Sequence, residues 1–150
     1  MRSAESTKSR KIVGRLEKGD ELVSAIVRVA KEHNVKAGEI RALGATTYLE
    51  TTEYDTEAQV YREALVRDGD CEILMLYGNL SDRDGELFAH LHMTGSFFEN
   101  GEPKLFGGHV SKATVFACEY VIEVHDDIEM TRVLDKPTGL ALWETVDKLD

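Results

Sequence analysis

Three of the five histidines fall within 20 residues, as His90-Leu-His92 and Gly107-Gly-His109. Neutral imidazole is a common ligand for transition metals and a general base near neutral pH. In a β-strand successive side chains alternate faces, so His90 and His92 project to one side while Ala89, Leu91 and Met93 project to the other. Two residues at about 3.3 Å rise each place the imidazole roots about 6.6 Å apart, a span across which two ring nitrogens can converge on one ion at about 2.0–2.1 Å. Gly107 and Gly108 have no side chains to block an approaching ion or ligand, and they permit a bulge that re-aims His109. A three-histidine site with an open fourth position is catalytic in type, and Zn²⁺ or another divalent transition metal held there can bring a water to a pKa near 7. An isolated His-x-His pair is more often a polar stretch of a solvated face. The Gly-Gly-His one hairpin away tips the reading towards metal.

The elements that must position these residues are mainly strands. Lys11–Leu16 reads as a short strand ending in a Lys18-Gly19 turn. Asp20 can then cap a helix over 21–33, where Leu22, Ala25, Ile26, Val29 and Ala30 follow helical spacing. After Asn34 and Gly38 the β signals run over 39–52, 58–66, 72–80, 86–98 and 105–125, separated by turn chemistry at 67–70, 81–85 and 99–103. A hairpin centred on Gly101 returns His109 opposite position 93, to within a residue or two. The expected fold class is α+β, a mainly antiparallel sheet with one long N-terminal helix packed on it.

The chain has 150 residues, 42% of them hydrophobic, with a formal net charge of −10. That length suits one domain, and such a domain buries enough surface to fold without metal or disulfide staples. Cys71 and Cys118 fall in strands predicted to be buried, with no Cys-x-x-Cys spacing, and read as free thiols. No secretory h-region or transmembrane run is legible, so a cytoplasmic protein with no membrane partner is expected. Residues 1–10 read as a flexible basic arm and 11–150 as one domain. Arg2, Lys8, Arg10 and Lys11 against Glu5 give a local net of +3, so the rest of the chain carries −13 of the total. An acidic body leans against nucleic acid, whose binders present a basic face.

The segments Arg15-Leu-Glu-Lys-Gly-Asp-Glu-Leu22, Gly38-Glu-Ile-Arg-Ala-Leu-Gly-Ala45, Glu72-Ile-Leu-Met-Leu-Tyr-Gly-Asn79, Ala89-His-Leu-His92 and Gly107-Gly-His109 occur in this order nearly end to end. Together they resemble the plant and prokaryote conserved (PPC) domain, found in small bacterial and archaeal proteins and in plant AT-hook nuclear proteins. The resemblance implies an α+β fold that assembles as a homotrimer, with the three histidines clustered as a metal site. It also implies the family's label of DNA binding. The AT-hook core Arg-Gly-Arg-Pro is missing from the sequence, and residues 1–10 contain neither glycine nor proline, so direct DNA binding is doubtful.

The function expected is therefore a small trimeric cytosolic protein whose His90, His92 and His109 hold a metal, with zinc the first choice, and bind or transform a small molecule. The alternative is a DNA-associated regulatory protein acting without an AT-hook. Arg41 is a candidate anion contact, and Glu72, Asn79, Gly107 and Gly108 are candidate ligand-binding or supporting positions. Glu119 and Glu123 share strand parity with His109 but stand roughly 33 and 46 Å along an unbroken strand, too far to reach its ion. His33 ends the helix, where an imidazolium suits the dipole. His125 reads as a solvated strand end, and Trp143 as packing for the C-terminal tail.

Overall fold

Alternating apolar and polar residues persist through the middle of this chain for far longer than one ordinary strand. In the computed structural model, which describes residues 2–149, those runs become strands of 14 to 24 residues. The element order is β1 (Ser9–Leu16), α1 (Leu22–Glu32), β2 (Gly38–Thr52), the two-residue β3 (Tyr54–Asp55) and β4 (Val60–Tyr61), β5 (Leu65–Arg83), β6 (Glu86–Glu99), β7 (Glu102–His125), β8 (Ile128–Asp135) and β9 (Leu140–Lys148). Met1 and Asp150, the outer ends of the expected arm and domain, lie outside the described residues.

The α+β expectation is corrected. The protein is mostly β, 69% strand and 7% helix, with a closed barrel and a short helix in place of a sheet under a long one. β2, β5, β6 and β7 pair antiparallel in a ring: β2 with β7 and β5, β6 with β5 and β7. Closure depends on β7, which outruns each partner. One of its edges pairs with β2, while the other gives 102–109 to β6 and 118–125 to β1. Register shifts at Ala42/Gly44 and Thr46/Tyr48 bend β2. At Gly44, with φ +149°, an added Cβ would stand 2.1 Å from the Ala117 carbonyl oxygen. Residue periodicity reveals which face is buried, not whether a sheet curls on itself.

α1 has 11 residues and fills the gap between β6 and β1 along β7. Ahead of it the Gly19 N–H donates to the Val115 carbonyl at 2.8 Å, and the Val115 N–H to that of Asp20 at 2.9 Å. The cap is Glu21 rather than Asp20: its carboxylate accepts from the Val23 and Ser24 N–H groups, while that of Asp20 turns back to accept from the Glu17 N–H. The helix stops at His33 because Asn34 takes φ 54°. Its apolar stripe, Leu22, Ala25, Ile26 and Ala30, is fully buried and joins Leu49, Leu76, Leu91 and Ile122 in the core. Cys71 and Cys118 are buried and free. Burial pushes the Cys118 thiol up to about 11, leaving it little thiolate.

Three local expectations shift. The strand over 58–66 is broken, leaving Val60–Tyr61 as β4 and Leu65 and Val66 as the start of β5, and the 67–70 turn lies inside β5, where Gly69 at φ +141° takes up the irregularity. The C-terminal tail forms a β8–β9 hairpin, and β8 runs parallel to the end of β5 through Asp82↔Thr131 and Arg83↔Arg132. Near the N-terminus Ser6 and Thr7 donate three hydrogen bonds to the buried Asp127 carboxylate, and Arg10 pairs with Asp126 at 3.0 Å. No helix among the described residues is long and apolar enough to cross a membrane.

Candidate metal centre

β6 alternates as its sequence requires. Ala89, Leu91 and Met93 are buried in the barrel, while His90 and His92 stand on its outer face. Asn100 and Gly101, both at positive φ, make the turn into β7, a backbone suited to these two residues. The hairpin then sets His109 directly opposite His92, one position from the expected register. Directly paired residues point to the same face. Gly107 and Gly108, which precede His109, line the same cleft.

The three rings meet. Their centroids are 4.9 Å apart for His90 and His92, 5.0 Å for His90 and His109, and 5.3 Å for His92 and His109. One ring nitrogen from each lies within 4.8 Å of the other two. The Nε2 atoms of His90 and His92 are 3.2 Å apart. Two ligands of a tetrahedral ion at about 2.0–2.1 Å stand about 3.3–3.4 Å from each other, so this pair is already spaced for coordination. Nδ1 of His109 is buried without a hydrogen-bond partner. Burial pushes His90 down to about 4, helped by the charges of His109, Arg132 and His92; burial and the neighbouring His92 also lower His109. Rings that resist protonation keep their lone pairs available to a cation.

The histidines line a cleft of about 770 Å³, within the range that takes small molecules. Its walls are the β3–β4 hairpin, with the Tyr61 ring 5.4 Å from His109, and the β8–β9 hairpin, which contributes Arg132. Asn79 faces His90 across β5 and β6 and accepts a 2.7 Å hydrogen bond from Arg132, so it supports the cleft from behind. Arg41 and Glu72 do not join the group. Both are exposed, on β2 and β5, and neither lines the cleft. His33 caps α1, and its carbonyl accepts from Arg10 at 2.8 Å. His125 is half-buried, its Nδ1 without a partner. Arg132, Arg83 and Tyr61 were not legible as cleft residues, because β8, β5 and β4, separated in sequence, bring them to the histidines. Phe88 could have been found, since it stands two residues before His90 and alternation puts it on the same face of β6.

Residues 3–126 match the Plants and Prokaryotes Conserved (PCC) domain. Among solved structures the chain is similar to the metal-containing protein of Archaeoglobus fulgidus, at 32% identity and TM-score 0.83, covering 97% of this chain and 99% of that one. It is similar also to the plant- and prokaryote-conserved protein of Pyrococcus horikoshii, at 28% identity and TM-score 0.86 over 98% and 99% of the two chains. A candidate DNA-binding protein of Bacteroides thetaiotaomicron shares the fold at 24% identity and TM-score 0.80, over 89% and 91%. No curated protein matches the chain.

Proposed function

Because this chain belongs to the Plants and Prokaryotes Conserved (PCC) domain family, we propose that its three histidines hold a divalent transition metal, zinc foremost, and that the cleft around them binds or transforms a small molecule. The observation that carries this is the 3.2 Å between the Nε2 atoms of His90 and His92 with His109 closing the triangle. The metal-containing name of the Archaeoglobus fulgidus neighbour supports it. Such an ion supplies Lewis-acid polarisation of a ligand oxygen. His90 and His109 are held neutral by burial and so present lone pairs at neutral pH. Gly107 and Gly108 keep the approach open, and Tyr61 and Phe88 flank the rings.

A cytosolic homotrimer is part of the proposal. Val13, Leu43, Met75 and Phe116 are more than half exposed and do not line the cleft, apolar surface that association would cover. Sedimentation equilibrium tests it, a monomer mass being the adverse result. DNA association is the second reading, supported by the names of neighbours under 25% identical. The net charge of −10 opposes it, as do the pairs Arg2–Glu144 and Arg10–Asp126, which engage N-terminal cations with the body.

Elemental analysis of protein purified without an affinity tag tests the metal reading. The expected result is one ion per chain in the wild type and none in the His90→Ala/His92→Ala/His109→Ala variant. Metal-free wild-type protein that takes up no zinc at micromolar concentrations overturns it.

A further inference from the structure

Arg132 is 5% exposed and lines the cleft beside the three histidines. Burying a cation is costly unless an opposite charge accompanies it, yet its acceptors are all neutral. Nε donates to Ser81 Oγ at 2.9 Å, Nη1 to the Ala141 carbonyl at 2.8 Å and Nη2 to Asn79 Oδ1 at 2.7 Å. A guanidinium has five N–H donors, so two remain without a protein acceptor. The guanidinium is held in place by aromatic faces, with its Cζ 5.7 Å from the Phe88 centroid and 5.4 Å from that of Trp143.

Nothing else in the cleft answers the charge. Arg83 also lines it, 5.2 Å from the Phe88 ring, and adds a second cation. The acids on its rim, Glu53 and Asp84, are exposed, and the Asp84 carboxylate approaches Arg83 only to 3.8 Å, a screened contact. Among the described residues no carboxylate pairs with Arg132, and an ion held by the histidines would make the cleft more positive still.

We propose that the small molecule bound in this cleft is an oxyanion, carrying a carboxylate or phosphate group that pairs with the two free N–H groups of Arg132 while another part of it faces the histidines. This rests on the preceding reading for the ion, but Arg132 binds its anion by its own charge and fork. The residue sits on β8, beyond residue 126 where the family match ends. The histidines thus come from the segment that the family match covers, and the group that selects the ligand comes from the C-terminal hairpin laid over it.

The test titrates cobalt-loaded and metal-free protein calorimetrically with malonate, inorganic phosphate and, as the neutral counterpart, malonamide. Malonate or phosphate should bind and malonamide should not; the tighter of the two anions identifies the group. Loss of the charged fork in Arg132→Gln should weaken anion binding by about tenfold or more, and Arg132→Lys, which keeps charge without the planar fork, by less. Because Arg132 ties β8 to β5 and β9, melting curves accompany both variants, and Arg132→Lys decides the matter if Arg132→Gln fails to fold. Malonamide binding as well as malonate overturns the proposal, as does no binding by any anion, or wild-type affinity in the folded variant that decides. If the protein takes up no metal yet binds malonate through Arg132, the metal reading fails and this one stands. If it loads cobalt but binds no anion, the reverse holds.

Discussion

Zinc should raise the melting temperature of the metal-free protein, and His92→Ala should remove that rise without lowering the metal-free value. In the metal-free chain the exposed His92 ring touches mainly the other two imidazoles, so truncating it should change stability by no more than about 0.5 kcal/mol, the usual range for a surface substitution. With zinc the balance differs. An ion that binds the assembled triangle and not the unfolded chain stabilises by about 2.7 kcal/mol at a hundredfold excess over its dissociation constant. For a chain of this size each kcal/mol moves the midpoint by about 2–4 °C, so the rise should be roughly 5–11 °C. Removing one of three ligands should abolish most of it. The assay is scanning calorimetry of untagged protein stripped with chelator, with and without zinc, beside a His33→Gln/His125→Gln control that should respond like the wild type. If His92→Ala lowers the metal-free midpoint as far as the zinc-loaded one, the histidine supports the fold rather than an ion. An undiminished zinc response in the triple-alanine variant would refute the triangle altogether.

Gly78→Ala should cost about 3 kcal/mol or more, at the severe end of single substitutions, because its Cβ would stand 2.2 Å from the His90 carbonyl oxygen and 3.0 Å from the Leu91 Cα. Denaturant titration measures this, and a cost below about 1 kcal/mol would contradict the close β5–β6 approach. In metal-free protein His90 titrates at about 4 when folded against its ordinary value of 6.5. Between those values only the unfolded chain takes up the proton, so stability should fall as pH drops from about 6.5 to about 4. His90→Gln should flatten that part of a melting-temperature profile. The Asp127 carboxylate, which accepts from the Thr7 backbone N–H and the Ser6 and Thr7 hydroxyls, is held well below the usual carboxylate range. Its contribution is present above its ordinary value of 3.8 and lost as pH falls through the lower folded one. Asp127→Asn should therefore lower the melting temperature at pH 7 and leave a smaller loss on acidification; an unchanged profile would count against the anchor.

The histidine triangle was legible because its information is local. His90 and His92 share a face by strand alternation, and Asn100-Gly101 is a turn that folds β7 back beside them, so pair, turn and His109 all lie within one hairpin. The helix start was misassigned for an equally local reason: Asp20 and Glu21 are adjacent, and the longer carboxylate reaches its own helix while the shorter turns back to Glu17. The family resemblance, read from segments spread along the chain, agrees with the match over residues 3–126.

The sequence by itself determined the strand pattern, the face on which the histidines stand and the family. Closure of the barrel, the length of β5 through Gly69, the covering hairpins and the place of Arg132 were decided by tertiary structure. The physical reason is range. Alternation and turn chemistry act over a few residues and can be read in order along a chain. A buried guanidinium beside His90 depends on the pairing of Arg83 with Arg132 across 49 residues and on neutral acceptors from two other strands, and that is specified only once the long strands have closed.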